Sequence, residues 1–147
     1  MSMWEPFREP ARRTMVVAQE LVKRLGAKEL DAEHIVAATV EVGDNLAADA
    51  FSSCGVSVER MNEAVERALP HGTEAGQQEM LFTQRSKQLI KRAFDEARNL
   101  AHSYIGTEHL LLAYITEFGK KSKLFADLGI ESDALRTKVL QLIREQA

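Results

Sequence analysis

Cysteine is nearly absent: the chain of 147 residues carries one, Cys54. That excludes an internal disulfide and leaves no thiolate set for a structural metal, so a reducing, cytoplasmic setting is the expectation. No run approaches the ~18 consecutive apolar residues of a membrane-spanning helix. The N-terminus, Met1-Ser2-Met3-Trp4-Glu5-Pro6-Phe7, has no basic stretch leading into an apolar one, so neither a secretory signal nor a membrane role is expected. An excess of one charge is also missing. Lys and Arg number 19 against 22 Asp and Glu, a net charge of -3, which gives no electrostatic reason to bind nucleic acid. Neither G-x-x-x-x-G-K-[ST] nor G-x-G-x-x-G occurs, so a P-loop ATPase and a dinucleotide-binding fold are excluded and no cofactor is expected. What remains is a chain 45% hydrophobic, enough for a core in a single domain of ordinary size.

That domain is written twice. At an offset of 75 the sequence pairs Phe7 with Phe82, Arg12 with Lys87, Ala18 with Ala93, Leu25 with Leu100, Glu33 with Glu108 and His34 with His109. Beyond these the offset drifts, to 76 for Gly43 and Gly119 and 74 for Gly55 and Gly129, as expected where loops absorb small insertions. The register gives repeat one over about 7–69, a linker over about 70–81 and repeat two over about 82–146. The linker is polar, with Pro70, Gly72 and Gly76 and no apolar period.

Each repeat reads as four helices. Met15, Ala18, Leu21, Val22 and Leu25 recur at three- and four-residue steps on a helix over 10–25 that starts at Pro10 and stops at Gly26. A shorter one carries Ile35, Val36, Thr39 and Val42. A third runs over 46–53, and a fourth follows the N-cap candidate Ser57. Repeat two follows the same order, with Thr83 and Thr107 as N-caps, then Leu124, Phe125 and Leu128, and a last helix after Ser132. No segment alternates like a strand. The expected fold is all-α, two four-helix units packed as a pseudo-twofold domain, because each half is too small to bury a sufficient core alone.

The sharpest local signal is Gly106-Thr107-Glu108-His109 at a helix start. A helix N-terminus attracts anions, and a neighbouring carboxylate can take a guanidinium in a bidentate pair. His34 and His109 lack a second His four residues on, so a structural place near the helix start is expected rather than a metal site. Cys54 has no basic neighbour in sequence and reads as packing rather than as a nucleophile. No nucleophile-base or paired-carboxylate arrangement emerges, so an enzyme is not expected.

These residues resemble the N-terminal domain of Clp-type AAA+ unfoldases, nearest to the ClpC type, over nearly the whole chain. The resemblance implies a tandem repeat of four helices that recruits substrates and adaptor proteins to a Clp ATPase. In some ClpC-type members it implies recognition of phosphorylated arginine, the Glu of the Gly-Thr-Glu-His motif holding the guanidinium and helix N-termini the phosphate. Carried onto this sequence, repeat two keeps the motif at Gly106, Thr107 and Glu108. Repeat one keeps Glu33 but reads Asp31-Ala32 where glycine and threonine are expected. The change removes a hydroxyl donor and places a carboxylate against the incoming phosphate, a repulsion of about 1 kcal/mol or more; alternatively Asp31 is simply a good N-cap. Glu33 is thus the weaker equivalent.

The resemblance also points to a peptide groove between the first helices of the two repeats, which in actinobacterial relatives takes cyclic peptide antibiotics. Trp4, Phe7, Phe82 and Lys87 are its candidates here, with Arg85 nearby, although aromatic residues at the start of each repeat's first helix also read as hydrophobic staples or core. The expected function is a non-catalytic recognition domain of the Clp protease system, binding arginine-phosphorylated substrates, adaptors or peptide-like ligands. If the chain is complete at Ala147, it delivers them to a Clp ATPase or competes as a decoy; within a longer protein the same surface recruits in cis. The alternative is an interaction module that meets an adaptor or the ATPase without phosphoarginine.

Overall fold

The computed structural model describes residues 4–69 and 81–146; most of the expected linker, 70–80, lies outside the described residues. Repeat one comprises α1 (Glu9–Arg24), β1 (Glu29–Leu30), α2 (Ala32–Val42), α3 (Leu46–Ser53) and α4 (Val58–Ala68). Repeat two comprises β2 (Leu81–Phe82), α5 (Gln84–Asn99), α6 (Thr107–Phe118), a short 3-10 turn (Gly119–Lys121), α7 (Lys123–Leu128) and α8 (Ser132–Glu145). Four helices per repeat match the periodicity. Ser57 and Thr83 cap α4 and α5 through their side chains, accepting the N–H of Arg60 and Ser86.

Two expectations about helix starts need correction. Gly106, not Thr107, is the N-cap of α6, and α8 begins at Ser132 rather than after it, capped by Glu131, whose carboxylate accepts the Asp133 and Ala134 N–H groups. Both are one-residue shifts at an end, but the first has chemical consequences given below.

Helices α2 and α6 form the centre. Their buried runs, Ala32–Val40 and Thr107–Ile115, are continuous rather than one-sided, because each is covered on several sides. An all-round apolar helix has to be interior. The amphipathic α1 lies on α2 and α5 lies on α6, while α3 packs on α8 and α4 on α7 across the repeats. Each repeat therefore completes the other's core, with Phe51 of α3 against Phe125 of α7 (centroids 6.3 Å apart) and Tyr114 of α6 against the same Phe125 (5.1 Å). The shared interface that half-domain size requires is present.

The expectation of no strands is corrected by a small pairing that positions the site. β1 and β2 form a parallel pair, Glu29 opposite Leu81 and Leu30 opposite Phe82, and an isolated parallel bridge joins Phe7 to Ile105. These are the same contact seen twice. Thr83 N–H donates to Leu30 O (3.0 Å) in one, and Arg8 N–H to Ile105 O (2.8 Å) in the other. Such two-residue pairings leave no alternating pattern to read in sequence. Their effect is to bring the start of each repeat's first helix against the start of the other repeat's second helix.

The glycine after α1 is used as expected, Gly26 having φ +67. At the same register in repeat two stands Ala101, with φ +60, a conformation that costs a side-chain-bearing residue about 1–2 kcal/mol.

Candidate functional site

Glu33 and Glu108 occupy matching positions, one residue into the first turns of α2 and α6, and both are buried. Behind each stands the histidine of the motif. His34 Nδ1 accepts the Asp31 N–H and His109 Nδ1 accepts the Gly106 N–H, each at 2.9 Å, satisfying a backbone donor at a helix start. Accepting at Nδ1 fixes both neutral rings with the proton on Nε2. His109 thereby donates to His102 Nδ1 (2.9 Å), whereas His34 Nε2 is buried with no partner among the described residues. Burial pushes both imidazoles down to about 4. The structural role expected for these histidines is what the geometry gives.

The two glutamates then differ, and the residue at the N-cap explains why. Both N-caps have extended backbone, φ -104 at Asp31 and -112 at Gly106. A Cβ on Gly106 would lie 2.3 Å from Glu108 Oε1 and 2.8 Å from its Cδ, so the Glu108 carboxylate folds back over its own helix start only because no side chain is there. In repeat one the Asp31 side chain fills that position. Its Oδ1 accepts the Ala32 N–H (2.8 Å), and the Glu33 carboxylate turns away.

Glu33 points to Arg85, near the start of α5. Arg85 Nη1 and Nη2 donate to Glu33 Oε1 and Oε2, both at 2.8 Å, and Nη1 donates also to Asp31 Oδ1 at 2.8 Å. The fork geometry is the strong form of the carboxylate–guanidinium pair. Phe118 covers the guanidinium, whose carbon lies 4.4 Å from the ring centroid. Thr83 hydroxyl donates to Asp31 Oδ1 (2.9 Å), and Tyr114 hydroxyl to Glu33 Oε2 (2.7 Å). Because the Tyr114 proton is committed to the carboxylate, Ser122 must donate to Tyr114 Oη across their 2.7 Å contact, while Ser122 Oγ caps α7 by accepting the Phe125 N–H. Burial pushes the Glu33 carboxyl up, but hydrogen bonds from Arg85 and Tyr114 and the charge of Arg85 outweigh it and hold the group below its ordinary value. The bond to Glu33 holds Arg85 firmly protonated, and burial raises Tyr114.

Around Glu108 the arrangement is open. Its hydrogen-bond partner is the Tyr104 hydroxyl, at a long 3.4 Å, and it forms no ion pair among the described residues. Pro10 holds the register position of Arg85 and offers no cation. Arg8 instead sits over Tyr104, its guanidinium carbon 3.5 Å from the ring centroid. A cleft of about 180 Å³ sits here, lined by Arg8, Pro10, Asn45, Tyr104, Thr107 and Glu108 among others. No side chain caps the start of α6, so first-turn N–H groups remain for an anion, the reverse of the capped α2. Thr107, expected to cap, is buried instead, its Oγ1 accepting the Ala47 N–H of α3 at 3.3 Å.

Three of the four groove candidates, Trp4, Phe82 and Lys87, border one space, and the fourth does not. Trp4, Leu81, Phe82, Lys87, Ile90, Lys91 and Phe94 border a space of about 700 Å³. Phe7 does not line it. The bridge to Ile105 turns Phe7 into the core, 2% exposed, behind Trp4 (centroids 5.0 Å apart) and Phe94 (6.0 Å). Arg85, read from sequence as a neighbour of this groove, belongs to Glu33. Cys54 is also corrected: it ends α3 and is exposed rather than packed.

Residues 6–123 and 81–147 match the Clp repeat (R) N-terminal domain family. The chain belongs to that family. Over 142 residues it is 37% identical to the negative regulator of genetic competence ClpC/MecB of Bacillus subtilis, covering 96% of this chain and 17% of that protein. The chaperone protein ClpB of Oceanobacillus iheyensis is also 37% identical, with the same coverage. The chain thus spans about one sixth, 17%, of the length of these curated relatives. Among solved structures, the N-terminal domain of ClpD from Arabidopsis thaliana superposes with a TM-score of 0.79 at 20% identity, covering 97% of both chains. The Hsp104 N-terminal domain of Candida albicans gives 0.77 at 21% identity, covering 94% of this chain and 91% of that one. These likenesses establish the fold of this Clp N-terminal domain. No helix among its described residues is long and apolar enough to cross a membrane.

Tyr114, Phe118, Tyr104 and Arg8 escaped the sequence reading, and Arg85 was placed at the wrong site. Repeat register pairs equivalent residues, whereas these belong to the non-equivalent contact that one repeat makes with the other.

Proposed function

We propose that this domain is a non-catalytic recognition module of a Clp protease system, cytoplasmic, that binds proteins carrying phosphorylated arginine at the Glu108 site and presents them to a Clp ATPase. One observation carries the reading: a buried carboxylate with no ion-pair partner among the described residues stands beside an uncapped helix N-terminus in an open cleft. A guanidinium fits the first feature, and a phosphate attached to it fits the second, with Arg8 at the rim as a further cation. Family membership supports a role in protein–protein contact. Delivery in trans, competition as a decoy and recruitment in cis all use this one surface.

The experiment is a titration with free phosphoarginine followed by amide shifts. Glu108→Ala is expected to abolish binding while Glu33→Ala leaves it near normal in whatever fraction remains folded. No binding by the unaltered protein, or equal loss in both variants, overturns the assignment.

A second reading rests on the apolar groove, where Leu81 is 55% exposed beside Trp4 and Phe82. There an adaptor, a Clp ATPase segment or a peptide-like ligand such as a cyclic peptide antibiotic docks without phosphoarginine. Retention of a purified Clp ATPase or adaptor by Glu108→Ala, with loss in Phe82→Ala, favours this reading over the first.

A further inference from the structure

We propose that the Asp31–Glu33 site is a complete guanidinium-binding site that the chain fills with its own Arg85, so that repeat one is closed to outside ligands and opens when Arg85 is removed. Every element expected of arginine recognition is assembled around Arg85. Glu33 supplies two parallel acceptors at 2.8 Å, Asp31 a third at 2.8 Å, and Phe118 a ring face at 4.4 Å. The acceptors are themselves held. Tyr114 fixes Glu33 Oε2, the Ala32 N–H and the Thr83 hydroxyl fix Asp31 Oδ1, and the parallel pairing of Leu30 with Phe82 sets the distance between the two helix starts.

The resident side chain is also not sealed in. Arg85 keeps 42% of its side-chain surface while the Glu33 side chain keeps 8%, so the receptor is buried and its occupant borders open space. Arg85, Asp31 and Glu33 share the wall of a cavity of about 960 Å³ that also reaches Lys121 and Arg136. A ligand therefore has a path to the carboxylate; what it lacks is a vacancy. A tethered group competes at an effective concentration in the millimolar range or above, which a dilute external guanidinium does not match.

The test is amide-shift titration with methylguanidinium, a probe without phosphate, so that its outcome is independent of phosphoarginine recognition at Glu108. Arg85→Ala is expected to show saturable shifts at Glu33, Tyr114 and Phe118, absent from the unaltered protein over the same range and lost again in Arg85→Ala with Glu33→Gln. Saturable shifts at Glu33 in the unaltered protein, or none in folded Arg85→Ala, overturn the proposal. Should Arg85→Ala fail to fold, the side-chain nitrogens of the unaltered protein decide. Arg85 is expected to show separate, slowly exchanging Nη signals, and an averaged Nη signal like that of the exposed Arg98 overturns it. Failure of phosphoarginine to bind at Glu108 changes none of these readouts.

Discussion

Replacing Gly106 separates recognition from stability in a way few substitutions allow. A Cβ at 106 would lie 2.3 Å from Oε1 of Glu108, far inside contact distance, but the group it strikes is the end of a flexible side chain. The backbone there has φ -112, which any residue adopts. In Gly106→Ala the carboxylate must therefore leave its place while the chain does not, and the stability cost is that of alanine at an N-cap, about 1 kcal/mol, or roughly 3 °C in Tm for a domain of this size. Binding of phosphoarginine loses a charge-assisted pair worth about 1.5–3 kcal/mol, between tenfold and over a hundredfold in Kd. Gly106→Asp sharpens the test by copying Asp31: its carboxylate caps α6 and recovers about 1 kcal/mol over the alanine variant, yet binding stays lost. Thermal melts and phosphoarginine titrations on both variants give the two axes. Binding that persists in either variant, or that falls only as the folded fraction falls, refutes the argument that the bare N-cap places Glu108.

Glu33→Gln and Glu108→Gln are expected to diverge in denaturant melts. The first leaves a half-exposed Arg85 with weakened partners and costs about 1–3 kcal/mol, less than a fully buried pair, while the second removes a carboxylate that lacks a cation and costs under about 0.5 kcal/mol; equal losses contradict the asymmetry. Ala101→Gly is expected to raise stability by about 1 kcal/mol, because Ala101 has φ +60 where repeat one uses glycine, and an unchanged midpoint in urea would count against strain at that turn. His34 and His109 are held down to about 4 from an ordinary value of 6.5, so the neutral form is the folded one. Their contribution is complete above pH 6.5, declines as pH falls through the window down to about 4, and is at most about 3 kcal/mol each. Urea melts between pH 7 and 4.5 should show the loss, shallower in His34→Gln, and a flat profile rejects it.

The repeat, the helix count and the shared core were legible because they are carried by apolar periodicity and by an offset that Phe7, Glu33 and His34 announce through Phe82, Glu108 and His109. Gly26 was legible for the same reason, a backbone need that one residue type meets. The β1–β2 pair was not, since two residues carry no period. Without that pair nothing in the sequence places Arg85 at Asp31 and Glu33 rather than beside Lys87 in the groove. Sequence left Phe7 and Phe82 open between groove and core, and the two environments differ: Phe7 is buried under Trp4, whereas Phe82 remains partly exposed on the groove wall. Asp31 was legible as an N-cap, but not as a partner of Arg85, whose guanidinium it shares with Glu33 in the structure.

The inequality of the repeats follows from what a pseudo-twofold domain asks of its two helix starts. Stability needs the halves tied together, and the chain Arg85–Glu33–Tyr114–Ser122 does this through α5, α2, α6 and the cap of α7, joining three elements of repeat two to one of repeat one. A carboxylate held by two strong partners is poorly suited to receive a third. Asp31 deepens that commitment, since it caps α2 and takes up the helix-start donor that an anion would use. Once repeat one secures the fold in this way, Glu108 is relieved of the task, and its cleft can keep a buried carboxylate without an ion pair among the described residues beside an N-cap without a side chain, the arrangement that the proposed recognition requires. Divergence at Asp31-Ala32 against Gly106-Thr107 therefore leaves two copies of one motif with different tasks in the fold, and the proposed recognition at Glu108 falls on the copy that carries no ion pair among the described residues.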